Sequence, residues 1–359
     1  MTSPPIIRVL IVDDSQVAVT LLTRELAKAP DFEIVGTARH GREALELIAT
    51  THPDVVCTDY HMPVMDGLKL TREIMAKHPL PILVLSVSVK EGSANVFNLL
   101  SAGALDFISK PVLENESGYA AMSSQLINKI RILSGVRVFR RPQRPEPETA
   151  PPGKTLSAND SNRAGRIVVI GASTGGPQAL LTILQQLPAE FNLPVVCVQH
   201  ISEGFLDGLV QWLNDASPLN VRIARHGDTP LPGTVSFPQE GTHLTFDEMG
   251  KFLISREQPH GGHRPSVTVT MRSAAERFNG GVIGVVLTGM GSDGAEGMVN
   301  IMKAGGVTIV QDEESCMIFG MPQQAIEQGA AQHVLSLNDI APALVRLQND
   351  TQKERGVAE

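Results

Sequence analysis

Asp13 and Asp14 close the first apolar run of the chain, IIRVLIV, and Asp59 closes a later one, DVVCT; Ser86 ends PILVLS and Lys110 follows DFIS. Several carboxylates in one crevice repel one another unless a hard cation lies among them, and an oxygen-rich site of this kind suits Mg²⁺. The metal and Lys110 would neutralise an incoming phosphoryl group while one aspartate attacks it, giving an acyl phosphate. Asp59 is best placed as that nucleophile. Alone, an aspartate at a strand end reads as the cap of the next helix, but five matching positions in order argue for a site.

A second constellation begins where RIVVI turns through Gly171-Ala172-Ser173-Thr174-Gly175-Gly176-Pro177. Glycines on both sides permit a sharp turn that exposes a serine hydroxyl, and Pro177 suits a first helical turn. Two readings compete. A Gly-rich strand-to-helix turn can cradle a phosphate, but GASTGG lacks both the G-x-G-x-x-G spacing and the Lys-Ser/Thr of a P-loop. Gly-x-Ser-x-Gly also fits a nucleophile elbow, a short pattern that does not decide by itself. Its weight comes from His200, which ends PVVCVQ, and from Asp293, in the Met290–Gly294 turn after VIGVVLTG. Base and acid thus lie at strand carboxyl ends of one expected sheet, allowing Ser173, His200 and Asp293 to act as nucleophile, general base and orienter. Singly, His200 reads as a core-edge histidine and Asp293 as a helix N-cap. The chain order Ser, His, Asp also departs from the Ser, Asp, His of α/β-hydrolases. Either the fold is different or the aspartate is another one.

The elements that must hold these residues follow from the hydrophobic pattern. From Ile6 to Ser134 five short apolar runs alternate with five amphipathic stretches, predicting a parallel sheet covered on both faces. Residues 136–163, rich in Pro, charge and small polar residues, read as a flexible linker between a domain at 1–135 and one at 164–350. Arg137, Arg140, Arg141 and Arg144 at its start read as a solvated run rather than a docking site. A second alternation from Arg166 predicts a larger α/β sheet carrying a β-rich insert over residues 234–255. At 359 residues two domains are the expectation, and a formal net charge of −8 with no helix-turn-helix beside a basic patch argues against a nucleic-acid binder. Three widely spaced cysteines suggest neither a disulfide framework nor a metal site. With no signal peptide and no stretch long enough to span a bilayer, the expected location is the cytoplasm, without membrane insertion.

Through VLIVDDS, VVCTDYHMPVMDG, PILVLS and DFISKP, residues 6 to 134 resemble the two-component receiver domains, a flavodoxin-like (βα)5 fold. That resemblance implies Asp59 as phosphoacceptor, Asp13, Asp14 and the backbone carbonyl of His61 as further metal ligands, Ser86 and Lys110 as phosphoryl contacts, and Phe107 as the switch aromatic. The His61 side chain carries no catalytic assignment. Through IGASTGGP, VVCVQHISEGF, GGHRPSV, VVLTGMGSDGAEGM, AGGVTIVQDEESC and FGMPQQAIEQGA, the whole chain is similar to the CheB chemotaxis methylesterases, which carry the Ser, His, Asp order on a doubly wound, mostly parallel α/β sheet. The resemblance implies hydrolysis of glutamate γ-methyl esters on methyl-accepting chemoreceptors, deamidation of receptor glutamines, a CheA-type histidine kinase as phosphodonor, and no cofactor in the catalytic domain. The backbone N–H groups of Thr174 and Met290 are the candidate oxyanion donors. Two departures stand out: Thr268, where the family often has an aspartate, and PQEGTHL near Gln239, where it has a Pro-Gly-Gly turn. Neither is expected to touch the triad, and His226, His243, His260 and His263 are expected to be structural. One chain holding a switch and a hydrolase suggests that the unphosphorylated receiver covers the Ser173 cleft and that phosphorylation favours an uncovered state.

Overall fold

The computed structural model describes residues 6–86, 93–110, 116–136, 138 and 167–355. The chain divides into two compact units, Met1–Glu146 and Pro147–Glu359, at a point within the stretch 136–163. That stretch lies outside the described residues apart from 136 and 138, as do Arg137, Arg140, Arg141 and Arg144.

The first unit alternates strictly: β1 (Ile7–Val12), α1 (Gln16–Leu26), β2 (Phe32–Ala38), α2 (Gly41–Thr51), β3 (Val55–Asp59), α3 (Gly67–Lys77), β4 (Ile82–Ser86), α4 (Ser93–Ala102), β5 (Asp106–Ser109) and α5 (Glu116–Ser134). The sheet order is β2-β1-β3-β4-β5 and every pairing is parallel. Because helices cover both faces, the inner strands are unbroken apolar runs: Val9 to Val12, Val55 to Cys57 and Ile82 to Leu85 are buried throughout. The edge strand β2 is only partly buried and carries polar residues. Ser15 and Asp66 cap α1 and α3 by accepting from Ala18 N and Lys69 N. The chain leaves β1 in one direction and returns on its other side at β3, so the crevice between those two strand ends is the switch point where α/β sheets bind ligands.

The second unit runs β6 (Ile167–Ala172), α6 (Gly176–Gln186), β7 (Val195–Gln199), α7 (Leu206–Ala216), β8 (Asn220–Ile223), β9 (Thr234–Phe237), β10 (His243–Phe246), β11 (Phe252–Ser255), α8 (Val267–Phe278), β12 (Val282–Val286), α9 (Ala295–Lys303), β13 (Val307–Gln311), α10 (Met321–Glu327), β14 (His333–Leu335) and α11 (Leu337–Arg355). Seven strands form one sheet in the order β14-β13-β12-β6-β7-β9-β8, all paired in parallel. The expected β-rich insert is therefore split. Only β10 and β11 form a separate antiparallel hairpin, while β9 joins the main sheet between β7 and β8. Its four residues are all buried, as an inner strand requires and an insert does not. The hairpin packs on α8, with Leu244, Phe246 and Phe252 buried in the same core as Val267, Met271 and Ala275. β6 starts the unit at the centre of the sheet, with β7 on one side and β12 on the other. Among the described residues no helix is long and apolar enough to cross a membrane.

Candidate active site

Ser173 follows β6 directly and is half-buried. Its amide donates to Thr288 O at 3.1 Å, and its carbonyl accepts from Gly176 N and from Gln199 Nε2, each at 2.8 Å. A trans peptide is planar, with its N–H opposed to its C=O. Pinning the Ser173 carbonyl therefore turns the Thr174 N–H the other way, and that amide donates to nothing among the described residues. The turn after β12 repeats the device. Gly289 O accepts from Gly320 N at 3.1 Å and Met321 N at 2.8 Å, which leaves the Met290 N–H opposed and also unpartnered. The two turns abut: a Cβ on Gly289 would lie 2.6 Å from the Cβ of Ser173. Thr288 stitches them further, its hydroxyl 3.0 Å from Thr174 O and its amide 2.8 Å from Gln311 Oε1.

His200 follows β7 and Asp293 lies past β12, so all three expected triad residues stand at the carboxyl ends of adjacent strands. His200 Nε2 is 2.9 Å from Asp293 Oδ2. Burial opposes ionisation of this carboxyl, but the His200 ring and the amides of Thr268 and Val267 outweigh it and hold Asp293 well below the usual carboxylate range. Asp293 Oδ1 accepts from Ser266 Oγ at 2.8 Å and Thr268 N at 2.9 Å, and Oδ2 accepts from Val267 N at 2.7 Å. These donors are the cap and first turn of α8, where the helix dipole favours a negative charge. Asp293 thus caps a helix, though not the one that follows it, and orients the histidine as well. A carboxylate only accepts, so Nε2 carries the hydrogen and the lone pair of the neutral ring sits on Nδ1. Nδ1 is buried with no partner among the described residues. The nitrogen left free to accept a proton is therefore the opposite one from that of the usual serine-protease arrangement. The Ser173 hydroxyl is not yet hydrogen-bonded to it, as is common before substrate binds.

Two expectations need correction. Thr268 does touch the triad: its amide binds Asp293, and its hydroxyl accepts from Gly294 N at 2.7 Å. The N-terminus of α8 meets the turn after β12 in space, which spacing along the chain does not reveal; a neutral hydroxyl there avoids a second carboxylate beside Asp293. His263, expected to be structural, stacks flat on His200 with ring centroids 4.0 Å apart and planes 3° apart. Burial and the neighbouring His200 lower its pKa, keeping it neutral near pH 7. Replacing His263 by Ala should cut kcat up to about tenfold, the value of one aromatic contact, while His263→Phe should keep most activity by preserving a flat ring; steady-state kinetics on both checks this. The other three histidines do have structural partners. His243 uses both nitrogens, on Ser266 N and Gln258 O, His226 accepts from Ile254 N, and His260 bridges the His263 backbone.

Beside Gln199 opens a cleft of about 280 Å³ whose walls include Leu206, Phe237, Glu240, Arg264 and Pro265. Glu240, from the PQEGTHL turn, accepts from Gly204 N and Leu206 N and so ties down the loop after His200.

In the first unit Lys110 Nζ bridges Asp13 Oδ2 at 2.7 Å and Asp59 Oδ2 at 2.8 Å. Carboxylate oxygens of Asp13, Asp14 and Asp59 lie within 4.8 Å of one another. Asp14 and the His61 carbonyl have no partner among the described residues, so an all-oxygen donor set is available and fits a hard divalent cation. Burial, opposed by Lys110 and reinforced by Asp13, raises the Asp59 pKa. Burial disfavours the charge on Lys110, yet Asp13 and Asp59 raise its pKa overall. Ser86 is buried and its carbonyl accepts from Lys110 N at 2.7 Å. Phe107 is buried edge-on to Phe97, with ring centroids 5.7 Å apart.

Residues 168–344 match the family described as CheB methylesterase, and residues 9–119 match the response regulator receiver domain. A protein-glutamate methylesterase/protein-glutamine glutaminase of Geobacter metallireducens is 41% identical over 344 residues, covering 95% of this chain and 99% of its own length. The chain belongs to the CheB methylesterase family. A relative of the same name from Pseudomonas aeruginosa is 39% identical, covering 95% of this chain and 99% of its own. The crystal structure of the Thermotoga maritima CheB methylesterase catalytic domain is similar at a TM-score of 0.50 and 39% identity, covering 51% of this chain and 99% of that one. The CheB-type fold is thus a receiver domain joined to a parallel α/β catalytic domain. Sequence reasoning gave Gln199 and Ser266 no role in this CheB site and left His263 structural. The available signal was membership of the matched motifs, since Gln199 lies within VVCVQHISEGF and His263 and Ser266 within GGHRPSV.

Proposed function

We propose that the chain is a protein-glutamate methylesterase whose activity rises when Asp59 is phosphorylated. It hydrolyses glutamate γ-methyl esters on methyl-accepting chemoreceptors, and deamidates receptor glutamines by the same acyl transfer, in the cytoplasm. The observation carrying this reading is the Asp293–His200 pair, whose buried, unpartnered His200 Nδ1 belongs to the strand end next to Ser173. Ser173 Oγ attacks the γ-carbonyl while His200 Nδ1 takes its proton, and Asp293 stabilises the imidazolium. The N–H groups of Thr174 and Met290 receive the oxyanion. His200 returns the proton to the leaving methoxide, methanol departs, and an ester on Ser173 remains. Water, deprotonated by the same Nδ1, attacks that ester; the acyl–Oγ bond breaks, Nδ1 returns its proton to Ser173 Oγ, and the glutamate is freed. Glutamine follows the same path with ammonia leaving.

In the receiver, Asp59 is the nucleophile toward a phosphoryl group from a CheA-type histidine kinase, and Lys110 and Ser86 contact its oxygens. Mg²⁺, bound by Asp13, Asp14, Asp59 and the His61 carbonyl, would supply the positive charge that lets a phosphoryl group approach three carboxylates. The test is methanol release from methylated receptor, with and without a phosphodonor and Mg²⁺. Release under neither condition refutes the reading. Excised residues 160–359 are expected to outpace the unphosphorylated full chain.

Asp59→Asn should abolish stimulation by the phosphodonor and leave basal release in place. Its effect on stability has a defined sign. A carboxyl whose folded pKa is raised contributes stability at low pH that is lost as pH rises through the folded value. Asp59→Asn should therefore raise, not lower, the thermal midpoint of the first unit at pH 7, as calorimetry would read.

A further inference from the structure

Gln199, the last residue of β7, is 3% exposed. Its Nε2 stands 2.8 Å from Ser173 O and 2.8 Å from His200 O. Carbonyl oxygens only accept, so the amide nitrogen, not the amide oxygen, faces both, and both of its hydrogens are used. Its Oε1 is buried and accepts nothing among the described residues. An apolar side chain of the same shape would bury no unpaired Oε1, but it would leave the His200 carbonyl without its donor; the amide carries the one cost to satisfy the two carbonyls. Gly176 gives that oxygen its room, since a Cβ there would lie 2.0 Å from it.

The position of this amide is as telling as its bonds. The pairing of β6 with β7 ends at Ala172 and Gln199, and its last rung is His200 N to Ala172 O at 3.0 Å. Ser173 and His200 are tied to the neighbouring strand ends through their amides, on Thr288 O and Ala172 O, but their carbonyls lie beyond the ladder, where no strand pairing fixes them. We infer that Gln199 is a positioning residue for acyl transfer, clamping the Ser173 and His200 carbonyls so that the Thr174 N–H is aimed and nucleophile and base are held in register. This rests on the Ser173, His200 and Asp293 reading above. Through the planar Ser173–Thr174 peptide, the clamp acts on the developing oxyanion without Gln199 touching it.

The test uses the full chain with Gln199→Met, which fills the same volume without donors, and Gln199→Glu, whose carboxylate has none. Measured are kcat and KM for methanol release, the rate of fluorophosphonate labelling, and the thermal midpoint. The expected result is a kcat lower by about 100-fold, comparable with losing an oxyanion donor, with KM within about twofold and labelling slowed in parallel. Gln199→Met removes the unpaired Oε1 but strands the His200 carbonyl, so its thermal midpoint should fall by no more than about a few degrees. Should it fail to fold, Gln199→Asn, whose amide falls one methylene short of both carbonyls, must show the same kcat loss. A kcat within about twofold of wild type overturns the inference. So does a raised KM at unchanged kcat, which would make Gln199 a wall of the substrate cleft. Wild-type protein that neither releases methanol nor takes the label defeats the esterase reading itself, and this inference with it.

Discussion

Ser173→Ala should reduce methanol release by about 10⁴-fold or more, and fluorophosphonate labelling to nothing, because the covalent route is closed. The same change should hardly alter stability. The Ser173 hydroxyl is half-buried and makes no hydrogen bond among the described residues, so truncating it leaves no orphaned partner and opens no core cavity. A shift within about ±0.5 kcal/mol is expected on denaturant titration. Activity and stability therefore separate cleanly at this position. A variant that lost both would mean that the serine is part of the scaffold, and would count against the nucleophile.

Asp293→Asn should affect both. An asparagine turned to accept at Oδ1 presents its NH₂ where Oδ2 now receives the Val267 amide and the His200 ring. His200 must then accept at Nε2, which places its proton on Nδ1 and removes the base. A kcat loss of about 10⁴-fold follows from the wrong tautomer. The stranded Val267 N–H should cost about 1–3 kcal/mol. The pH dependence has a clear direction. Because the folded pKa of Asp293 is depressed, its stabilisation is complete above the unfolded carboxyl value of about 3.9 and is lost as pH falls from there through the folded value. The stability gap between wild type and Asp293→Asn should thus be constant through neutral pH and close only in strong acid. A gap that widened in acid would refute the assignment of the charged carboxylate.

The convergence of Asp13, Asp59, Ser86 and Lys110 was legible because strand ends share one edge: IIRVLIV, DVVCT, PILVLS and DFIS are strands of one parallel sheet. Ser173, His200 and Asp293 were legible for the same reason, since β6, β7 and β12 are neighbours. β9 escaped because TVSF alternates polar and apolar residues, the pattern of a half-exposed hairpin strand, although all four are buried; its parallel partners β7 and β8 are what distinguish it. The support of Asp293 by Ser266, Val267 and Thr268 escaped because a helix N-terminus attracts a carboxylate from any part of the chain that reaches it. His263 escaped because ring stacking leaves no periodic trace in a sequence.

The centre of the catalytic sheet has a kinetic consequence. β6 must pair with β12, joining Ile167 to Val282 and Gly171 to Val286 across more than a hundred residues, before Asp293 can reach His200. Contacts so distant along the chain form late, after the loop-closure entropy between them has been overcome. The hairpin of β10 and β11, and α8 with it, belong to that intervening loop. On refolding from denaturant, helical signal should return well before esterase turnover, making turnover a clock for the last closure of the sheet.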